Sequence, residues 1–452
     1  MRLRTALLST TLTAAMLAVL TPTPAPAALG TVTEFTAGIP AAAAPIGITN
    51  GPDGNLWFAQ NGTPDAIVRM TPLGAVTAFP LPAGFDPVDI TAGPDGNLWF
   101  TGNGATDAIG RITPAGVITP FPLAAGSDPV DITAGPDGNL WFTENTGAAD
   151  AIVRITTAGA MTPFALAADT DPGGITAGPD GNLWFTQNTP AAADAIVRIS
   201  TAGAMTPFAL AVGANPIDIT AGPDGNLWFT GDTAAAADAI VRMSTAGAMT
   251  PFALAAGSDP YDITAGPDNN LWFTQDGATD AIVRISTIGA ITPFALVAGV
   301  DPAGITRGSD GNIWATGMGA TARINRVEVA PVTCFGKLPT IFGGFGNNLI
   351  VGTTGNDVII GGNGNDDIRG RGGRDWICGG NANDTITGGA GSDRISGDGG
   401  ADKLKGNRGS DTISGGSGRD RLFGGRGTDS CAGGKAKDTA NSCEFRSSAK
   451  PV

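Results

Sequence analysis

Two hydrophobic rhythms divide the chain. Up to about residue 330, short runs of alternating apolar and polar residues, the period of half-buried strands, recur in one fixed order. One copy reads DITAGPDGNLWFT (131–143), AIVRIT (151–156) and GAMTPFAL (159–166). Gly-Pro-Asp-Gly is tight-turn chemistry, so the runs beside it form a hairpin, and Thr-x-x-Gly turns between the last two. Four antiparallel strands per copy make the unit of a β-propeller blade.

Tryptophan marks the copies at Trp57, Trp99, Trp141, Trp184, Trp228, Trp272 and Trp314, spaced 42 to 44 residues apart. Seven hairpins predict seven blades. The Gly-x-x-Thr-x-Phe strand also occurs seven times, but its first copy (GTVTEF, 30–35) precedes the first hairpin and none follows the last. The N-terminal strand is therefore expected to complete the seventh blade with GITRGSDGNIW and RINRVE, leaving no open edge. One tryptophan per blade at one hairpin position reads as inter-blade packing, and the Pro-Asp-Gly aspartates read as turn residues.

After residue 342 the rhythm changes to nine. Eleven units run from Gly343 to Asn441, each with a glycine-rich turn, an acidic or amide residue at the sixth position and an apolar residue at the eighth in most. The sixth positions are Asn348, then Asp357, Asp366, Asp375, Asp384, Asp393, Asp402, Asp411, Asp420, Asp429 and Asp438. Each unit offers a turn only glycine tolerates, exposed carbonyls and a carboxylate, an oxygen set that suits a hard cation. Two units make one coil, so each ion would sit between adjacent turns. This resembles the RTX, or hemolysin-type, nonapeptide, which implies a parallel β-roll holding several calcium ions. Asp357 through Asp429 are the expected ligands. Asn348 is neutral, and the last unit has Ala436 in a glycine position and Ala440 facing inward. With little surface buried per strand and stacked carboxylates repelling, the metal-free array should fold poorly.

Charge separates the same two regions. Residues 28–333 hold nine arginines and no lysine against twenty-eight acidic residues, whereas the tail is near neutral. The acidic body argues against nucleic acid and anionic membranes as partners. Arg2 and Arg4, the apolar stretch from Ala6 to Leu20 and Ala25-Pro26-Ala27 resemble a secretory leader over 1–27. No later stretch reaches transmembrane length. The organisation is thus all-β: leader 1–27, seven-bladed propeller 28–333, β-roll 334–452, released outside the cell and expected to be a monomer. All four cysteines (Cys334, Cys378, Cys431, Cys443) lie in or beside the roll. In an exported chain they read as two disulfides with three possible connectivities. The favoured one clips Cys431 to Cys443 at the frayed end and Cys334 to Cys378 at the start.

The propeller repeat, with I-T-A-G-P-D-G-N-L-W-F-T, resembles the virginiamycin B lyase (streptogramin lyase) family. That resemblance implies seven blades and a magnesium-assisted elimination that linearises a cyclic depsipeptide. In the family one histidine abstracts the proton, while a second histidine and a glutamate help hold the metal. The histidines stand in P-H-x-I-T and the glutamate follows W-F-T. Here the residue after Trp-Phe-Thr, or its equivalent, is Gln60, Gly102, Glu144, Gln187, Gly231, Gln275 or Gly317, so only Glu144 matches. The histidine slots hold Val88 and Val130, and elsewhere Ile46, Gly173, Ile217, Tyr261 and Ala303; the chain contains no histidine. Valine is neither base nor ligand, so that mechanism has no counterpart here, and histidine-dependent triads and zinc sites go with it.

Glu144 remains a weak catalytic candidate. Asp89, Asp131, Asp218 and Asp262 precede the I-T strand in four blades, where sevenfold geometry would set them around the channel rim beside Glu144 and the three glutamines. Such a ring could hold a cation or a basic ligand; its other reading is hydrogen bonding to nearby backbone. The leading expectation is a non-enzymatic, calcium-stabilised binding protein for an extracellular ligand or cell-envelope component. Its recognition face would use loops that vary between blades, such as 61–66, 145–151, 188–195 and 231–239. The alternatives are a divergent lyase or carboxylate-dependent hydrolase, and a structural element of an extracellular assembly.

Overall fold

The computed structural model describes residues 30–146, 149–189, 194–211, 213–231, 238–329, 333–337, 339–345, 347–434, 438–443 and 445–447. The expected leader, and parts of three of the variable loops, lie outside the described residues. Among those described there is no helix, and hence none long and apolar enough to cross a membrane.

Seven four-stranded antiparallel sheets form the propeller. The last combines Pro302–Arg307, Ile313–Gly317 and Arg323–Val327 with the N-terminal strand Val32–Phe35, paired through Val32 to Val327 and Phe35 to Ile324. Alternation dictates the packing. Trp57, from the first blade, is fully buried among Ile90, Leu98, Phe100 and Ala108 of the second, and Trp314 closes the circle against Ile48, Leu56 and Phe58.

Each turn aspartate accepts the indole N–H four residues on: Asp53 from Trp57 at 3.0 Å, Asp137 from Trp141 at 3.0 Å, and likewise in every blade. The indole stacks on the fourth-strand phenylalanine, with Trp141 and Phe164 centroids 5.2 Å apart. An arginine from the strand between lies over both rings, Arg154 at 5.8 Å and 6.0 Å. Its guanidinium donates across to the next blade, Arg154 Nη1 to Thr201 O at 3.2 Å, and Arg326 completes the ring to Pro72 O at 3.3 Å. In the closing blade the phenylalanine is Phe35, 5.1 Å from Trp314, so one aromatic layer joins the two ends of the propeller.

Beyond residue 340 alternate nonapeptides feed two parallel sheets, of seven and six strands, and residue i pairs with i+18, as Ile359 with Ile377 and Ile368 with Ile386, until the last strand, where Ser430 pairs with Phe445. Eighth-position side chains fill the narrow interior in one column, Ile350, Ile359, Ile368 and onward to Leu422. Cys431 takes the next place in the column, bonded to Cys443. Cys378 faces outward and is bonded to Cys334, beside Val358 and Ile360 with Phe335 and Trp376.

Because Phe35 packs the closing blade from the far end of the chain, Phe35→Ala is expected to destabilise the propeller by about 3 kcal/mol. Denaturant unfolding would measure it, with exposed Leu73→Ala as a near-neutral reference.

Candidate functional site

The sixth-position aspartates all turn inward at the coil edges, and from Asp366 to Asp429 they are buried to 2 % exposure or less. From Asp366 to Asp438, one carboxylate oxygen of each accepts the backbone N–H of the residue one coil earlier. Examples are Asp366 Oδ1 from Asn348 N at 2.8 Å, Asp375 from Asp357 N at 2.9 Å and Asp411 from Asp393 N at 2.8 Å. The other oxygen has no partner in Asp366, Asp375, Asp384, Asp393, Asp402, Asp411 and Asp420. A buried carboxylate oxygen without a donor is expensive, and here it recurs in seven successive units.

Burial therefore pushes these acids up: Asp366, Asp375, Asp393, Asp402 and Asp411 to about 6, and Asp384 to about 7 with help from Asp366, Asp402 and Asp398. Glycine at the first position makes room for the arrangement. A Cβ on Gly370 would lie 2.5 Å from Asp375 Oδ2 and 2.5 Å from the Gly388 carbonyl oxygen of the next coil. Fourth-position glycines turn with positive φ, 107° at Gly373 and 137° at Gly391. A column of orphaned carboxylate oxygens among backbone carbonyls is a donor set for a hard cation, so these residues fit calcium.

Asp357 differs. Thr353 replaces the second glycine of its unit, and its N–H donates to Asp357 Oδ2 at 2.7 Å, so that carboxylate is already satisfied.

In the propeller, Asp89, Asp131, Asp218 and Asp262 meet at the central channel in a cavity of about 170 Å³, with Ile46, Val88, Val130, Ile217 and Tyr261 from the histidine slots. A bulge between Pro129 and Ile132, repeated in each blade, lets both slot residue and aspartate reach the channel. Each aspartate also crosses to the next blade. Asp131 Oδ2 accepts Ile175 N at 2.5 Å, Asp218 accepts Ile263 N at 3.0 Å and Asp262 accepts Ile305 N at 2.7 Å. Burial raises all four acids. Asp89 and Asp218 rise furthest, because neighbouring Asp131 and Asp262 repel their charged forms. Thr101, Thr143, Thr186, Thr230, Thr274 and Thr316 add hydroxyl bonds to the carbonyl of the next blade's slot residue.

Glu144 and the glutamines do not line this cavity, unlike the arrangement expected from sequence. Glu144 pairs with Pro129, beyond the bulge, where it is bonded to Ser127 near Asp107 and raised by burial. Gln60 and Gln275 bond back to carbonyls of their own loops. A further group has no signal in the sequence: Asp276, Asp280 and Asp301 bring carboxylate oxygens within 4.8 Å of one another. They come from two neighbouring blades, and no single repeat displays them.

The comparisons with known proteins fall on the same division. The virginiamycin B lyase family matches residues 26–170, 125–236 and 172–344. The RTX calcium-binding nonapeptide repeat matches 342–377, 379–413 and 405–440. Among solved structures, a streptogramin B lyase is 32 % identical over 66 % of this chain and 98 % of its own, with a TM-score of 0.59. A virginiamycin B lyase from Staphylococcus aureus is 33 % identical over 66 % and 99 %, with a TM-score of 0.58. A catalytically inactive histidine-to-alanine form of the Staphylococcus aureus enzyme, with quinupristin, is 34 % identical over 66 % and 99 %, with a TM-score of 0.60. No curated protein matches.

The raised carboxylates fix a sign for pH. A folded-state acid raised to 6 or 7 holds its proton where the unfolded chain has lost it, so stability falls as pH rises through that window. In the full chain kept in chelator, corrected amide exchange across 347–434 is expected to be slower near pH 5.5 than near 7.5. Calcium at the higher pH is expected to restore the protection.

Proposed function

The chain belongs to the virginiamycin B lyase family and carries RTX calcium-binding repeats, and we propose that it is a secreted protein in which calcium folds the roll and the propeller binds without catalysing. The observation that carries the calcium reading is the column of buried carboxylate oxygens with no donor, from Asp366 to Asp420. Their charge opposes the fold unless a cation shares the site. With calcium bound, those oxygens and the turn carbonyls would hold the ion, and neutralisation would reverse the sign of their contribution to stability. Release from the cell is supported by the leader-like first 27 residues and by the two disulfides, and the outside of a cell is where calcium is abundant.

For the propeller, the family relative that lost one histidine is described as inactive, and this chain has none at all. Its channel offers valine, isoleucine, glycine and tyrosine where a base and a metal ligand would stand. Asp89, Asp131, Asp218 and Asp262 serve as ties between blades, a role supported by their bonds to the isoleucine N–H groups of the following blade. Recognition then falls to the loops that differ from blade to blade.

Titrating the chelated full chain with calcium is expected to bind several ions, with a gain of β-signal in circular dichroism that chelator reverses. Asp384→Ala is expected to weaken uptake about tenfold in the coils it touches. A roll fully folded in chelator and binding no ion would defeat the calcium reading. Separately, a streptogramin B depsipeptide incubated with the protein and magnesium is expected to stay cyclic by mass spectrometry. Linearisation that Glu144→Gln abolishes would make the protein an enzyme instead.

A further inference from the structure

The two sheets of the roll present different outer faces. On the six-stranded sheet, strands Lys403–Arg408 and Arg421–Arg426 lie side by side, with Leu404, Gly406, Leu422 and Gly424 buried. Lys403, Arg408, Arg421 and Arg426 are exposed, and Lys405 and Phe423 are half-buried. Register sets Lys403 opposite Arg421, Arg408 opposite Arg426 and Lys405 opposite Phe423. Like charges one strand apart, about 4.8 Å, destabilise a sheet. Among the described residues no ion pair relieves any of these five cations. Asp402 and Asp420 border Lys403 and Arg421, but one oxygen of each accepts a backbone N–H, from Asp384 and Asp402 respectively, and the other is buried in the coil. The corresponding row on the seven-stranded sheet is Trp376, Arg394, Thr412 and Ser430, with a single cation. Solubility does not require the charge to gather on one face.

We propose that this face docks an acidic polysaccharide lying across the strands. A linear polymer with a carboxylate on successive sugars meets rows of cations repeated at the strand spacing, which is close to the rise of one sugar residue. Phe423, set between the two charged rows, offers a flat ring to the apolar face of a sugar. Exposed Thr385 and Thr439 on the flanking strands offer hydroxyl groups without adding opposing charge. Nucleic acid fits less well, because the propeller of the same molecule carries twenty-eight acidic residues against nine arginines. The surface is that of the calcium-loaded roll, so this inference rests on the reading above.

The test uses the full chain in calcium, with circular dichroism first confirming that the roll of each sample is folded. A sample that does not fold there refutes the calcium reading and is distinguished at that step. The probe is a short fluorescent oligogalacturonate, too dilute to strip calcium, followed by anisotropy; a neutral dextran oligosaccharide and a DNA duplex are the comparators. Binding is expected for oligogalacturonate alone, weakening as salt rises from about 50 mM. The pair Lys403→Glu with Arg421→Glu is expected to weaken it at least about tenfold, whereas Arg394→Glu on the other sheet leaves it unchanged. Three results would overturn the proposal: no binding at low salt by a folded roll, equal loss in the Arg394→Glu control, or DNA bound as tightly as oligogalacturonate. Calcium-dependent self-association that the double variant abolishes would do the same, since a second copy's acidic propeller would then own the surface.

Discussion

A carboxylate oxygen buried in the coil edge, with nothing to donate to it, recurs from Asp366 to Asp420 and is the constraint that the roll has to meet. Every other part of that unit is weak: one apolar side chain per nine residues, strands of three to six residues and turns made of the residue with the most entropy to lose. The column from Ile350 to Leu422 keeps the two sheets together only if the coil edges on either side stay closed. Those edges are lined by the inward aspartates, whose first oxygen already stitches one coil to the next. The second oxygen sets the sign. Protonated or shared with a cation it permits stacking, and ionised alone it opposes it.

The propeller solves the same problem of repetition without an outside ligand. Its recurring polar links are made within the chain: the turn aspartate with the indole, the arginine with both rings and a carbonyl of the next blade, the channel aspartate with the next isoleucine N–H. The arginine and channel-aspartate links reach forward by one blade, Arg326 carries the last blade back to the first, and Phe35 brings the N-terminal strand into the closing blade. A circle with such links has no end at which to fray, whereas the roll has two. The disulfides stand at those ends, Cys334–Cys378 near its start and Cys431–Cys443 near its finish. Two kinds of repeat therefore coexist in one chain with different dependence on their surroundings.

Much of this is legible in the sequence because period carries it. Seven tryptophans and seven Gly-x-x-Thr-x-Phe strands, offset by one, specify the closing blade, and the strict spacing of nine carries the RTX resemblance that implies coils of eighteen. What period does not carry is direction within an irregular step. The bulge before each Ile-Thr strand sends two successive residues to the channel, so Asp131 lies there with Val130, while Glu144 ends up beyond the bulge. Likewise Thr353 looks like a tolerated variant of a glycine, yet its N–H fills the second oxygen of Asp357. Asp276, Asp280 and Asp301 converge only once neighbouring blades are placed. The cationic face was in principle readable, since alternate units share a sheet, but total charge conceals it: the tail sums to near neutrality.

The absence of histidine separates what the fold needs from what the chemistry of its family needs. The slot residues contribute their backbone carbonyls to the threonine bridges, as Val130 and Ile217 do, and any side chain can supply those. A residue other than histidine there leaves the inter-blade bonds intact, so the propeller closes without one. The threonines and channel aspartates are under the opposite constraint. Each is bonded to two strands or two blades, and removing one would orphan a buried carbonyl or N–H. The architecture thus stands with valine, isoleucine, glycine and tyrosine in the slots of the channel, beside the aspartates that tie one blade to the next.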